Sequence, residues 1–142
     1  MKQINPTKKE YSSLISNIGS LLEQGKTQAY HAVNEILVST YWEIGKRIVE
    51  FEQHGKEKAE YGSALLENLS KDLKLRYGKG FSRDNLEKMR RFYSLFRNSE
   101  TLSRKLSWSH YCLLLRIENG LARQFYLIET EKESWSIREL DR

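Results

Sequence analysis

The only proline of the 142-residue chain is Pro6, so no residue beyond it lacks a backbone N–H or carries a ring that would interrupt a helix. The chain is rich in Leu, Glu, Lys, Arg and Ser and has few sustained β-branched runs, which favours helices over strands. Charged residues make up 30% and apolar residues 39%, a balance that suits amphipathic helices around a core rather than a disordered chain. The length is that of one domain, long enough to bury a core without disulfides or metals.

Apolar residues recur at spacings of three and four over most of the chain. Tyr11, Leu14, Ile15, Ile18, Leu21 and Leu22 predict a first helix from about Thr7 to Gln24, ending at Gly25. A second is predicted from about Thr27 to Gln53, with one stripe of Val33, Leu37, Tyr41, Ile44, Ile48 and Phe51. Val38, Trp42, Gly45 and Val49 form an adjacent stripe, so this helix should have neighbours on two sides. Gly45 inside it costs about 1 kcal/mol relative to alanine, and a close helix crossing is the simplest reason to keep it. A third helix is expected over Gly62 to Tyr77, using Leu65, Leu66, Leu69, Leu73 and Leu75. The run Tyr77-Gly78-Lys79-Gly80 is a turn signal, and Ser82 reads as the N-cap of a fourth helix to about Phe96. Ser107 or Ser109 caps a fifth through Leu115, and Glu118 to Glu133 forms a sixth, with Leu121, Ala122, Phe125, Tyr126 and Ile128 inward. Ser136 caps a further helix that Arg142 would cut in its first turns, so the natural chain is expected to continue. The expected fold is an all-α bundle of about six helices containing a helix-turn-helix-like unit.

The single cysteine, Cys112, rules out an internal disulfide and fits a reducing cytosol. The N-terminal MKQINPTKKEY lacks the apolar core of a secretory signal, and no apolar run is long enough for a membrane span. A cytoplasmic location without membrane contact is expected. His31, His54 and His110 have no metal-type spacing with Cys112, which reads as a packed apolar residue rather than a nucleophile. Phosphate-binding glycine loops and Ser-His-Asp patterns are absent, so neither a cofactor nor catalysis by this chain is expected.

The net charge is +5, and its placement carries more information than its size. Between Lys71 and Arg97 there are nine basic and three acidic residues, a surplus of six, whereas the remainder holds fifteen basic and sixteen acidic residues. On the fourth helix, Leu86, Met89, Phe92, Tyr93 and Phe96 share one arc and must face the core, which turns the basic residues outward. Displacing counterions from duplex DNA rewards such a face, and a major groove admits one helix. Residues near the helix start, Arg83, Asp84 and Glu87, would then approach base edges, while Lys79, Lys88, Arg90 and Arg91 would hold phosphates. A basic outer face also suits a plain solvated surface, and helix pairs joined by a glycine turn occur in bundles that bind nothing. The paired aromatics fit core packing better than base stacking.

Four segments extend the reading: VNEILVSTYWEIGKRIVEFEQ from Val33, YGSALLENLSKDLKLRYGKGFSRDNLEKMRRFYSLF from Tyr61, LSWSHYCLLLRIEN from Leu106 and FYLIETEKESWSIRELDR from Phe125. Together they resemble the N-terminal domain of the YhcG family, over nearly all of the chain after its first few residues. Trp42, Gly45, Tyr61, Gly62, Gly80, Phe81 and Leu86 match its structural motifs. The resemblance implies a bacterial protein whose helical N-terminal domain, with DNA binding suggested for it, precedes a nuclease-like domain of the PD-(D/E)xK type. The metal ligands of such a domain would lie beyond Arg142. The expected organisation is a DNA-binding domain over residues 1–134, with residues 135–142 beginning the connection to the nuclease-like domain of the same polypeptide. The partner is duplex DNA, and a homodimer is also consistent with the wide apolar arc of the second helix. The alternative is a protein-interaction or dimerisation domain with no nucleic-acid contact.

Overall fold

The computed structural model describes residues 8–53 and 64–142, and every regular element among them is helical. In chain order these are α1 (Lys8–Glu52), α2 (Leu65–Tyr77), α3 (Arg83–Leu95), a 3-10 turn (Ser99–Thr101), α4 (Trp108–Leu114), α5 (Gly120–Glu133) and α6 (Ile137–Asp141). The all-α architecture expected from the periodicity is present, with six α-helices among the described residues. None of these helices is long and apolar enough to cross a membrane. The chain divides into two compact units, residues 1–33 and 34–142.

The break expected at Gly25 does not occur, because the polar residues that would cap a new helix are engaged within an existing one. Thr27 Oγ1 donates to the Glu23 carbonyl at 3.0 Å, and Lys26 lies 3.9 Å from the Glu23 carboxylate. Ending a helix here would strand backbone donors and acceptors on both sides, a larger loss than the roughly 1 kcal/mol that an internal glycine costs. In the first unit the apolar residues are exposed, from Ile18 at 46% to Leu21 at 68%.

The second unit holds the core. From α1 it takes Val38, Trp42, Gly45 and Ile48, residues from both of the stripes seen in the sequence. Val38 and Trp42 join Phe92, Leu106, Tyr111, Leu114, Leu127 and Leu140 in one cluster. Ile48 joins Leu65, Leu66, Leu86 and Met89 in a second, and Trp108 packs against both. Gly45 is buried where α1 meets α3. A Cβ on Gly45 would overlap the Met89 carbonyl oxygen and stand 2.7 Å from the Met89 carbonyl carbon, so the crossing excludes any side chain there. One turn earlier, Trp42 Nε1 donates to the Phe96 carbonyl at 2.6 Å, satisfying both a buried indole N–H and a carbonyl at the end of α3.

Short helices are closed by their own side chains. Ser107 and His110 form a capping box at α4, Asn119 accepts from Leu121 and Ala122 at α5, and Ser136 and Glu139 form a second box at α6. The Trp135 carbonyl accepts from His110 Nε2 at 3.0 Å, so His110 Nδ1 is the acceptor for the Ser107 N–H. Leu140 is buried against α4.

Five residues expected inside are exposed: Leu75, Leu121, Phe125, Tyr126 and Ile128. Leu75 lies opposite Leu66 on the wheel of α2, and the buried face of α5 is Leu127 and Thr130, about a third of a turn from Leu121. In short helices, periodicity alone cannot say which of two adjacent apolar rows meets the core. Val33 and Leu37, from the first stripe of the expected second helix, are also exposed. The expected start of the third helix at Gly62, together with Tyr61 and His54, lies outside the described residues.

Two outcomes follow for stability. Gly45→Ala forces α1 away from the Met89 backbone and should lower unfolding stability by at least about 1–3 kcal/mol, measured by denaturant titration; an unchanged midpoint contradicts the close crossing. The Tyr111 hydroxyl is buried and accepts from the Ser103 N–H at 2.7 Å. Burial pushes this phenol up to about 12, a shift that the Ser103 hydrogen bond opposes and the Glu131 charge assists. A raised folded value means that the stabilisation is whole below pH 10, where the unfolded phenol titrates, and is lost as pH climbs towards 12. Unfolding stability followed from pH 10 towards pH 12 should therefore fall by up to roughly 3 kcal/mol, a loss that Tyr111→Phe removes.

Candidate nucleic-acid interface

The outer face of α3 is set from beneath. Leu86, Met89 and Phe92 are fully buried, which leaves Arg83, Asp84, Lys88 and Arg91 exposed and Glu87 and Arg90 half-buried. The connection from α2 turns on Gly78 and Gly80, with φ of 83° and 107°, values that favour glycine. Ser82 caps α3 as expected, accepting the Asn85 N–H at 3.1 Å. Asn85 then ties the turn to the rest of the unit. Its amide donates to the Gly80 carbonyl at 2.6 Å, and its Oδ1 accepts from Trp108 Nε1 at 3.3 Å. Ser70 on α2 donates to the Phe81 carbonyl at 2.7 Å. The turn that carries Lys79 is thus held from α2 and α3, and through Asn85 from α4.

The six residues singled out in the sequence fall into two groups. Arg83 and Arg90 already have carboxylate partners. Arg83 Nη1 donates to Glu87 at 3.1 Å and its Nε lies 3.8 Å from Glu67, all on exposed side chains where solvent screens the attraction. Arg90 Nη1 lies 2.8 Å from Glu52, and these side chains are only 34% and 29% exposed, so this pair fastens α3 to the end of α1. Lys79, Lys88 and Arg91 are exposed, and no ion pair engages them among the described residues. Glu87 stands between the groups as the acceptor for Arg83.

The periodic reading of α3 missed Arg116. Together with Lys88, Arg91, Asp84, Glu87 and Cys112 it lines a shallow groove of about 260 Å³ between α3 and the end of α4. No signal near α3 in the sequence could have placed it, because its position depends on how α4 packs. Burial pushes the Cys112 thiol up, against the opposing pull of Lys88 and Arg116. On the other side of Arg83, Lys71 and Lys74 flank an open depression with Glu67 and Ser70, and Lys74 and Lys79 line another beside the glycine turn. Arg97 stacks over Tyr93 at 4.9 Å. No group of three or more His, Cys, Asp or Glu among the described residues could hold a metal ion. Cations and carboxylates therefore alternate over the outer face of α3 and the adjoining turn.

The two arginines should differ on mutation. Arg90→Ala leaves Glu52 half-buried and unpaired and should cost about 1–3 kcal/mol, whereas Arg83→Ala should stay within about 0.5 kcal/mol. Thermal unfolding of both, with Glu52→Gln to close a double-mutant cycle, checks this; equal losses would contradict the assignment of Arg90 as the structural member.

Residues 17–142 match the family model described as DUF1016 N-terminal domain. The chain is also similar to a protein of Escherichia coli (strain K12) named "Putative nuclease YhcG", with 38% identity over 164 residues. That alignment takes in 93% of this chain and 44% of the relative, so the chain spans less than half of the relative's length. No solved structure matches.

Proposed function

The chain belongs to the DUF1016 N-terminal domain family, and on that premise we propose that it is a non-catalytic, duplex-DNA-binding module that positions a nuclease-like domain of the same polypeptide. The observation that carries this reading is the set of exposed cations Lys79, Lys88 and Arg91, without an ion pair among the described residues, on a turn and helix whose inner face is locked into the core. α2, the glycine turn and α3 have the connectivity of a helix-turn-helix, with α3 as the element that enters the groove. Lys79, Lys88 and Arg91 hold phosphates. Arg83 and Glu87, at the start of α3, face base edges, and Arg83 exchanges its screened carboxylate contacts for the DNA. Arg90 acts mainly through Glu52, keeping α3 at its angle.

The relative named as a nuclease supports the second half of the proposal, because this chain matches less than half of that protein. Residues 1–134 then form the binding domain and 135–142 begin the connection, starting from a segment that Trp135 and Leu140 pin to the core. Phosphodiester cleavage belongs to the other domain, and the setting is the cytoplasm, consistent with a lone free thiol. A second reading, a protein-contact module without nucleic acid, is favoured by the exposed apolar residues of α1 between Tyr11 and Val33.

Electrophoretic shift or fluorescence anisotropy with duplex, single-stranded and RNA probes at two or more salt concentrations separates these readings. The expected result is duplex binding that weakens as salt rises. Replacing Arg83, Lys88 and Arg91 together with alanine should flatten the log–log salt slope by roughly 2, near 0.9 for each of the phosphate contacts of Lys88 and Arg91. A triple variant that binds as well as the parent at equal salt sinks the assignment to α3.

A further inference from the structure

We propose that residues 11–33 of α1 form an antiparallel two-helix seam with a second copy of this chain. This stands apart from the nucleic-acid reading and uses none of its residues. At 3.6 residues per turn, Leu14, Ile15, Ile18, Leu21 and Leu22 fall on one face, with Gly25, Ala29, Ala32 and Val33 continuing it, all within an arc of about 120°. The large members are 46–68% exposed, and nothing lies within 4 Å of where a Cβ on Gly25 would be. A stripe this long and apolar is uncommon on a monomer's surface.

The size of the face fits one more copy. Apart from Tyr30, which lies off the stripe, the seven large apolar side chains from Tyr11 to Val33, at roughly 60–120 Å² each, offer about 400–800 Å² per copy, which brackets the lower end of a specific interface. Charge does not oppose it, because Lys8, Lys9 and Lys26 stand against Glu10 and Glu23 in residues 8–33, a net of +1.

The order of side chains selects the orientation. Val33 apart, the large residues occupy the first half of the stripe and the small ones the second. With a two-fold axis between residues 23 and 24, Leu22 faces Gly25, Ile18 faces Ala29, Ile15 faces Ala32 and Leu14 faces Val33. Leu22, Ile18 and Ile15 then each meet a small residue, which favours close packing at those three positions, while Leu21 meets Lys26 and Leu14 meets Val33; the interface is self-complementary as a two-fold dimer requires. A parallel pair would set Ile18 against Ile18 and Ala29 against Ala29, crowding one end and leaving a gap at the other.

The test uses the whole 142-residue chain. Sedimentation equilibrium over a broad dilution series should show a reversible dimer, and Ile18→Lys should raise its dissociation constant by on the order of a hundredfold or more while helical content by circular dichroism is kept. Ile18→Leu should leave the dimer intact. In a Cys112→Ser background, mixing Ile18→Cys chains with Ala29→Cys chains should give a disulfide-linked pair, and Ile18→Cys alone should not. A chain monomeric throughout, its stripe reserved for some other partner, overturns the proposal, as does a dimer indifferent to Ile18→Lys. Rapid self-linking of Ile18→Cys would overturn the antiparallel seam while leaving self-association standing.

Discussion

The approach of α1 to α3 at Gly45 and Met89 is the contact on which the second unit depends. With no side chain at Gly45, the two backbones come close enough for packing to develop on both sides of the crossing. On one side Trp42 and Phe92 reach Tyr111, Leu114 and Leu127; on the other Ile48, Leu86 and Met89 meet Leu65 and Leu66. Trp108 touches both clusters and, through Asn85, the glycine turn. Once α3 is clamped by Leu86, Met89 and Phe92, its remaining faces have nowhere to go but outward, and they carry Lys88 and Arg91. The functional reading is therefore a consequence of core packing: the cations are displayed because the opposite face is held.

The electrostatics around α3 divide by burial. Arg90 and Glu52 are close, partly desolvated and geometrically direct, and they act as a brace between helices. Arg83 has two carboxylates within reach, but in solvent such pairs contribute about 0–1 kcal/mol and exchange readily. Clustered positive charge in the sequence is thus not equivalent to available positive charge in the structure. The available part is smaller than the stretch from Lys71 to Arg97 suggests, but it gains Arg116 from outside that stretch.

Much of this was readable before any coordinates. Ser82, Ser107 and Ser136 announced helix starts, and each accepts the backbone N–H its position requires. Gly78 and Gly80 announced the turn, and Gly45 the crossing. What was hidden had two physical origins. Local signals were outvoted by continuity at Gly25, where Thr27 bonds back into the helix instead of capping a new one. Partners distant in sequence were invisible: nothing near Arg90 points to Glu52, and nothing near Lys88 points to Arg116, because tertiary packing alone brings them together. Leu121 and Phe125 show the remaining gap, since a helical period identifies apolar rows without saying which row finds a neighbour.

The most direct measurement is amide chemical-shift mapping of the isotope-labelled chain as duplex DNA is added at low salt. Binding through α3 requires that perturbations concentrate on Lys79, Arg83, Lys88 and Arg91 and the turn at Gly78–Ser82, with the buried face of α3 unaffected. Shifts that are absent at saturating DNA, or that gather on residues 11–33 instead, would contradict it.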